Sequence, residues 1–200
     1  MTRHLVIFAR APQRGRVKRR LAEEIGWPTA LGFYRRTLAR QIRRLASDRR
    51  WSVWLFVTPD DCLGHPAWRG IPRRRVRRQG GGDLGRRMKL PFQVLPPGPV
   101  VLVGSDIPTI DGHHIAAAFR LLGTHDLVFG PAVDGGFWLV GTRRRPRLPR
   151  LFAKVRWSTS HALADALAGL PPGIAVGFVD TLEDIDNGDA FCRLRPARGF

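Results

Sequence analysis

The amino-acid sequence predicts an α/β domain with a mainly parallel sheet, in a layered, Rossmann-like arrangement. Three observations predict it. Short runs rich in Val, Leu and Phe recur along the chain, segments with helical spacing lie between them, and a chain of 200 residues, 44% of them hydrophobic, is long enough to bury one full core. Since no repeat or linker divides the chain, we expect a single domain over residues 1–200.

Buried strands are predicted where four to eight largely apolar residues follow one another between turn residues. The predicted strands are HLVIFA (4–9), WSVWLFVT (51–58), VVLVGS (100–105), DLVFGP (126–131), GFWLVG (136–141) and IAVGFV (174–179). Only the turn AVDGG joins the strands 126–131 and 136–141, which is too short for a helical crossover. We therefore expect this pair to add an antiparallel element.

Helices are predicted between these strands. Residues 28–46 begin with a proline, which suits the first turn of a helix. Their apolar residues recur at spacings of three and four: Leu31, Tyr34, Leu38, Ile42 and Leu45. A second helix is predicted over residues 111–122, and a short one follows the glycine-rich stretch 79–88.

The net charge of +18 first suggests a polyanionic partner. All but three of the 34 basic residues are arginine, a bias that we attribute to codon usage. The basic runs RRRVRR (73–78) and RRRPRLPR (143–150) contain no aromatic residue on which a base could stack. We expect a solvated basic surface that attracts anions nonspecifically, and no specific binding of nucleic acid.

The sequence also bears on location and on cysteine chemistry. No stretch approaches the run of about 18 apolar residues that a membrane helix needs, and the N-terminus lacks a signal-peptide pattern. We expect a cytoplasmic protein without a membrane span. Cys62 and Cys192 lie far apart and form no CxxC pair, so neither a disulfide framework nor a zinc site is indicated.

The loop after the first strand, FARAPQRGRVKRRLAEEIG (8–26), is a candidate phosphate site. It places Gly15 before a helix start and surrounds it with cations, among them Arg10 and Lys18. Backbone N–H groups and cationic side chains that converge in this way suit the phosphates of a nucleotide. The P-loop signature is absent, and a solvated charged turn is the alternative.

Three aspartates lie in turns beside glycine or proline: Asp106 in GSDIPTI, Asp134 in AVDGGFW, and Asp83 after Gly82 in QGGGDLGRRM. Ligands of open α/β sheets gather beyond the carboxyl ends of strands, where a carboxylate suits a hard divalent cation. Each has a structural alternative. Asp106 could cap a turn, Asp134 could belong to a hairpin turn, and the glycines could form a flexible connection instead of wrapping a base or ribose.

Six segments in this order resemble motifs of the bacterial family catalogued as domain of unknown function 2064. They are FARAPQRGRVKRRLA, QGGGDLGRRM, VLVGSDIPTI, GPAVDGGFWLVG, VRWSTSHALADAL and LEDIDNGDAF, and they cover nearly the whole chain. That family is similar to the glycosyltransferase-A superfamily of nucleotide-diphospho-sugar transferases, and to molybdenum-cofactor and phospholactate guanylyltransferases. The resemblance implies a single-domain glycosyltransferase-A-like fold that binds a nucleotide and a divalent ion.

Individual positions match the family's motifs. Gly15 and Lys18 match its phosphate loop, Asp106 its metal-binding aspartate, Asp134 its second acidic turn, and Asp186 its C-terminal Asp-Ile-Asp motif. Two positions depart from it, because Arg19 and Asn187 stand where the family has threonine. Trp157, Ser158 and Thr159 match as well, although a core tryptophan before a helix cap explains them equally.

The sequence and the resemblance together predict a metal-dependent, nucleotide-using transferase with Mg²⁺ or Mn²⁺ as its cofactor. Lys18 and Asp106 are the expected catalytic residues, and Asp106 and Asp134 the expected metal ligands. The expected nucleotide-binding residues are Arg10, Gly15, Lys18, Gly82, Asp83 and Asp106.

Nucleotidyl transfer from a nucleoside triphosphate to a small phosphorylated acceptor is favoured over glycosyl transfer. SDIP carries one aspartate where glycosyltransferases of the superfamily typically carry Asp-x-Asp, and a basic loop can grip pyrophosphate. The alternatives are a glycosyltransferase that uses a nucleotide-sugar, a regulatory nucleotide-binding protein without catalysis, and an arginine-rich nucleic-acid-binding protein.

Overall fold

The computed structural model describes residues 1–144 and 148–198, with side chains up to Leu194. Residues 145–147, which belong to the basic run 143–150, lie outside the described residues. The strands are β1 (His4–Arg10), β2 (Ser52–Thr58), β3 (Val76–Arg78), β4 (Val100–Gly104), β5 (Leu127–Pro131), β6 (Phe137–Thr142) and β7 (Val176–Phe178). The helices are α1 (Arg19–Ile25), α2 (Trp27–Ala46), α3 (Leu84–Val94), α4 (Gly112–Leu121), α5 (Ala162–Ala168) and α6 (Gly188–Arg198).

The strands form one sheet in the order β3-β2-β1-β4-β6-β5-β7. Every neighbouring pair is parallel except those of β6, which runs antiparallel to β4 and to β5. The predicted α/β class, the mainly parallel sheet and the antiparallel pair are thus confirmed. The insertion of β6 between β4 and β5 was not predicted, because local spacing says nothing of the order in which strands lie.

Helices cover both faces of the sheet, and strand alternation decides which residues each face receives. Leu5 and Ile7 of β1 pack into one core with residues of α2 and α4, while Val6 between them packs into a second core with Met88 and Phe92 of α3. A third cluster joins α1, the start of α2 and α6 through Leu21, Phe33, Phe191 and their neighbours. The result is the layered domain that the sequence predicts.

The two longest predicted helices form with nearly the predicted bounds. In α2, Pro28 occupies the first turn and the predicted positions Tyr34, Leu38, Ile42 and Leu45 are buried. In α4, the Asp111 side chain accepts a hydrogen bond from the His113 N–H and caps the helix start. Both predicted helices are therefore confirmed to within one residue at each end.

The basic run 73–78 contains an edge strand that the sequence did not predict. Val76 is buried and pairs with Leu55, while Arg77 and Arg78 are exposed. The run also has an aromatic neighbour that is distant in the sequence, because the guanidinium groups of Arg75 and Arg77 each lie 5.9 Å from the centroid of the Trp54 ring. A base could stack there only by displacing at least one of these arginines.

Two smaller expectations concern the cysteines and the membrane. Both Cys62 and Cys192 are free thiols, as their spacing predicts. Across residues 1–144 and 148–198, no helix combines the length and the apolarity needed to cross a membrane.

Candidate functional site

The candidate site lies where the strand order changes direction. From β1 the order runs through β2 to β3 on one side, and β4 begins the other half of the sheet. Loops that follow neighbouring strands diverge at such a point and leave a crevice at their carboxyl ends. A cavity of ≈ 540 Å³ opens here, lined by Arg10 at the end of β1, by Lys18 from the loop that follows and by Asp106 after β4.

Lys18 is the centre of this site. Its side chain is only 2% exposed, and its Nζ atom lies 2.7 Å from Oδ1 of Asp186 and 3.3 Å from Oδ2 of Asp106. Its backbone is left-handed, with φ 48° and ψ 49°, directly before α1. A non-glycine residue adopts this conformation only where surrounding contacts enforce it, and such residues cluster at functional sites.

The ionisation of the site follows from burial and from neighbouring charges. Burial alone would lower the pKa of Lys18, but the charges of Asp106 and Asp186 outweigh it and raise this pKa. Burial would raise the pKa of Asp186, but the Lys18 ammonium lowers it. Burial and the charge of Asp186 raise the pKa of Asp184 to about 6. The site therefore holds a charged lysine at neutral pH and one carboxyl group that resists ionisation.

Four carboxylates line the cavity: Asp106, Asp134, Asp184 and Asp186. The structure brings Asp106 and Asp186 onto the same ammonium, whereas the polar contact of Asp134 is with its own turn, where Oδ1 accepts the Gly136 N–H at 2.9 Å. Carboxylate oxygens are the donors that Mg²⁺ and Mn²⁺ prefer, so this donor set fits the expected cofactor.

The sequence indicated Asp186 only through the family resemblance and missed Asp184. A signal was present, since Asp184 and Asp186 are two residues apart and follow the last predicted strand. In an extended segment such residues point to the same side.

Tyr34 joins the two halves of the crevice. Its hydroxyl accepts a hydrogen bond from the Arg10 N–H at 3.1 Å, donates one to the Arg10 carbonyl at 2.8 Å, and lies 3.0 Å from the Ser105 hydroxyl. It is buried, and burial with the charge of Asp106 raises its pKa further, so the phenol stays neutral. Tyr34 thereby holds the end of β1 against the residue that follows β4.

The predicted phosphate loop lies at the cavity, although not all of its residues reach it. Arg10, Arg16, Lys18 and Arg20 line the cavity, and the Arg10 guanidinium donates to the Arg16 carbonyl at 3.1 Å. Gly15 is exposed, has φ 77° and is not among the lining residues. Its conformation shapes the turn that carries Arg16 and Lys18.

The second predicted loop contributes through residues other than those predicted. Gly82 and Asp83 do not line the cavity, and the Asp83 carboxylate caps α3 by accepting the Arg86 N–H at 2.7 Å. Gln79 and Arg87 do line it, and the Arg87 guanidinium donates to the Gln79 side chain. Nucleotide binding by Gly82 and Asp83 stays a prediction.

Trp157 is half-buried and packs against the second core, in line with the structural alternative. It also lines the cavity together with Ser158 and Thr159. The residue that precedes α5 is His161, which makes no side-chain cap; the Thr159 hydroxyl accepts the His161 N–H at 3.2 Å. Trp157, Ser158 and Thr159 therefore form part of the cavity wall.

A second cluster could hold a metal ion but lies outside the cavity. Among the described residues, Asp111, His113 and His114 form the one group of at least three whose ligand atoms all lie within 4.8 Å of one another. Nδ1 of each histidine lies 2.7 and 2.9 Å, respectively, from Oδ1 of Asp111. These residues cap the start of α4, and the positive end of a helix dipole disfavours a cation there. Helix capping accounts for the cluster.

Comparison with known proteins agrees with this fold. The sequence model of the family described as "Uncharacterized protein conserved in bacteria (DUF2064)" matches residues 41–159. The chain belongs to this family. A search among curated proteins finds no match. A solved protein from Desulfovibrio desulfuricans G20, assigned as a nucleotide-diphospho-sugar transferase, is 28% identical with a TM-score of 0.84, covering 100% of this chain and 89% of its own.

Two more distant structures share the fold. One is 4-diphosphocytidyl-2C-methyl-D-erythritol synthase from Anaerococcus prevotii DSM 20548, 8% identical with a TM-score of 0.63, covering 98% of this chain and 97% of its own. The other is Rv0371c from Mycobacterium tuberculosis H37Rv, solved as a complex with manganese, 14% identical with a TM-score of 0.57, covering 99% of this chain and 100% of its own. The fold is thus the glycosyltransferase-A-like fold that the resemblance implied.

Proposed function

We propose that this protein is a metal-dependent transferase that moves a nucleotidyl group from a nucleoside triphosphate to a small phosphorylated acceptor. The observation that carries the proposal is the Lys18 ammonium, 2% exposed and in contact with Asp106 and Asp186 at the crevice. A buried, charged lysine beside a basic loop is placed to bind phosphate oxygens. The carboxylates next to it supply donors for a divalent ion.

Asp106 and Asp186 are the residues that would hold Mg²⁺ or Mn²⁺, with Asp134 and Asp184 as further donors at the cavity wall. All four carboxylates line the same cavity, and the contact of Asp106 and Asp186 with one ammonium brings these two close together, which supports this assignment. When bound, the ion would act as a Lewis acid and neutralise charge that develops on the phosphate group. The manganese complex of Rv0371c supports the choice of cation.

The side chains of the protein would bind the phosphate groups and stabilise the leaving group. An oxygen of the acceptor phosphate attacks the α-phosphorus, the bond from this phosphorus to the bridging oxygen breaks, and pyrophosphate leaves with the electron pair. A phosphate oxygen is already anionic, so no general base is required. Lys18, Arg10 and Arg16 would stabilise the charge that accumulates on the leaving group. The diphosphocytidyl group in the name of the A. prevotii enzyme is what such a transfer from CTP produces.

Glycosyl transfer is the second candidate, and the assigned class of the D. desulfuricans protein favours it. In that reaction an acceptor hydroxyl attacks the sugar carbon and a nucleoside diphosphate leaves. The hydroxyl must lose a proton, and Asp184, with its pKa near 6, is placed to accept it. The two candidates therefore differ in the donor, in the leaving group and in the need for a base.

The leaving group tests the proposal. We would incubate the purified protein with Mg²⁺ or Mn²⁺, each nucleoside triphosphate and a panel of phosphorylated acceptors, and measure pyrophosphate release. Parallel reactions with nucleotide-sugars measure nucleoside diphosphate release. Pyrophosphate released only with an acceptor present supports nucleotidyl transfer, whereas nucleoside diphosphate from a nucleotide-sugar supports glycosyl transfer. Turnover with neither donor class contradicts the proposed chemistry.

Substitution of Lys18 tests the binding part separately. Lys18→Met keeps most of the apolar length and removes the ammonium, so we expect nucleotide binding to weaken by about 1–3 kcal/mol, the range for a lost charge-assisted hydrogen bond. Lys89→Met is the matched control, because Lys89 does not line the cavity. Calorimetric titration with nucleoside di- and triphosphates, each with Mg²⁺, measures the difference. Equal affinities for wild type and Lys18→Met would show that the Lys18 ammonium does not contact the nucleotide and serves only to pair with Asp106 and Asp186.

A further inference from the structure

One side of the cavity is apolar. We define the apolar wall as the side chains of Phe8, Leu84, Met88, Phe137 and Trp157, all of which line the cavity. Four of them are only half-buried, and Met88 is 5% exposed. Large apolar side chains left in contact with water and grouped in a concave site are typical of a surface that a ligand covers.

Trp157 is held in place by its neighbours. Its ring meets those of Phe152 and Phe137 edge-on, with centroid distances of 5.5 and 6.2 Å and interplanar angles of 69° and 65°. On its other side the indole approaches α3 at Gly85, where an added Cβ would lie only 2.8 Å from Cζ2 of Trp157. The indole is therefore fixed before any ligand arrives, which lowers the entropy lost on binding.

The strand order separates the Phe137 part of the apolar wall from the phosphate loop, whereas Phe8 belongs to β1 itself. In the sheet, β4 lies between β1 and β6. The loop that carries Lys18 follows β1, Asp106 follows β4, and Phe137 begins β6. Phe137 therefore lies on the opposite side of Asp106 from the phosphate loop, and Trp157 lies with it because the two rings are in contact. A nucleotide whose phosphates contact that loop leaves this side of the cavity to the acceptor.

The polar side chains that line the cavity near Phe137 and Trp157 are few. They are the Asp134 carboxylate, in the turn before β6, and the hydroxyl groups of Ser158 and Thr159. The Thr159 hydroxyl already donates to the Arg156 carbonyl at 2.8 Å and accepts from the His161 N–H at 3.2 Å. An acceptor with many hydroxyl groups would need a partner for each of them when buried, and this side offers mainly carbon.

We propose that the acceptor is a phosphorylated molecule with an apolar, ring-containing body, which packs against Trp157 and Phe137 while its phosphate faces Asp106 and Lys18. This assignment rests on the proposed function, since it takes the phosphate loop as the nucleotide side. It deepens that function by naming the chemical class of the second substrate. A bare sugar phosphate does not fit the wall.

A series of phosphate monoesters tests the assignment. We would titrate the full chain, with Mg²⁺ and the tightest-binding nucleoside triphosphate as its α,β-methylene analogue, with methyl, phenyl and 2-naphthyl phosphate and with glucose 1-phosphate. We expect affinity to rise roughly tenfold from methyl to phenyl phosphate and again to naphthyl phosphate, as burial of apolar area predicts. Glucose 1-phosphate should bind no more tightly than methyl phosphate.

Variants place the effect at the apolar wall. Trp157→Ala should remove most of the affinity that the aromatic rings add, and leave the affinities for methyl phosphate and for the nucleotide unchanged. Trp157→Leu keeps apolar packing against Phe152 and should also lose the affinity that the aromatic rings add. This variant provides the test if the alanine variant does not fold. Trp27→Ala is the matched control, because Trp27 is half-exposed outside the cavity. Gly85→Ala should reduce the gain by displacing the indole.

The outcomes separate this inference from the proposed function. Equal affinities from methyl to naphthyl phosphate, with normal nucleotide binding, overturn the inference alone. Tighter binding of glucose 1-phosphate than of phenyl phosphate overturns it too. It is likewise overturned if Trp157→Ala still binds phenyl and naphthyl phosphate more tightly than methyl phosphate by the wild-type factors. If the protein binds no nucleotide but keeps the ring-dependent series without one, the proposed function is wrong.

Discussion

Asp184→Asn should stabilise the metal-free protein at neutral pH and weaken its response to Mg²⁺. Burial and the charge of Asp186 raise the pKa of Asp184 to about 6, from an ordinary value of 3.8. The folded state therefore disfavours the ionised form. Below pH 4 the carboxyl is protonated in both states and contributes nothing. As the pH rises through 6, the folded wild type must carry an unfavourable charge and loses stability relative to the unfolded chain. The amide that replaces the carboxyl group in the variant never ionises.

The size of the effect follows from the shift. A difference of roughly two pKa units corresponds to about 3 kcal/mol for a group sealed from water. Asp184 is only half-buried and its ionisation is coupled to that of Asp186. Solvent therefore screens much of this free-energy cost, and we expect a difference in stability of about 1 kcal/mol. The replacement keeps the shape of the side chain, and its amide can still donate to Asp186.

Urea unfolding at pH 4.5 and pH 7.5, with a chelator, measures the difference. We expect the midpoint of the variant to exceed that of the wild type by less at pH 4.5 than at pH 7.5, with the same slope at both, because the folded carboxyl group is still largely protonated at pH 4.5. Added Mg²⁺ should raise the wild-type midpoint more than that of the variant, because the variant has lost a carboxylate donor. Asp61→Asn, at an exposed aspartate outside the cavity, is the control. A variant that is less stable than wild type at both pH values would refute the reasoning.

Three further predictions concern other parts of the molecule. Asp106→Asn should abolish turnover and lower the melting temperature of the metal-free protein only slightly, because Asp186 still pairs with the Lys18 ammonium; wild-type turnover with Mg²⁺ would exclude Asp106 as a metal ligand. Burial lowers the pKa of His4, so the folded state resists protonation of this side chain and the protein loses stability as the pH falls below about 6.5. His4→Gln does not titrate, and its free energy of unfolding should therefore depend less on pH between 7 and 5. Parallel pH profiles for the variant and the wild type would contradict this. Binding of random-sequence DNA should be weak and fall steeply with salt, as measured by fluorescence anisotropy; sequence-selective binding at physiological salt would favour the nucleic-acid alternative.

Much of the fold was predictable because its signals are local. The apolar runs at 4–9 and 100–105 and the spacing in 28–46 mark elements whose bounds in the structure differ by only one residue. A strand or helix that must bury one face records that face in its own sequence. The short strand in 73–78 escaped prediction because only Val76 is buried there, and one apolar residue makes no pattern.

The candidate site was predictable only in part. Arg10, Asp106 and Asp134 were singled out because each lies at or just after the end of a predicted strand or within a turn, and Lys18 through the family resemblance. All four line the cavity. Gly82 and Asp83 were singled out by the same rule and do not, because the Asp83 side chain is engaged in capping α3.

The sequence by itself determined the class of the fold, most of its helices and strands, and the loops in which chemistry could occur. The tertiary structure alone decided which of those loops meet. Lys18 and Asp186 are 168 residues apart and share a hydrogen bond, and Trp157 packs closely against Gly85 of α3. Such contacts depend on strand order and on helix packing, which no short stretch of sequence records. The charges of Asp106 and Asp186 keep Lys18 charged, and burial makes Asp184 resist ionisation; both arise only when the whole chain has folded around these residues.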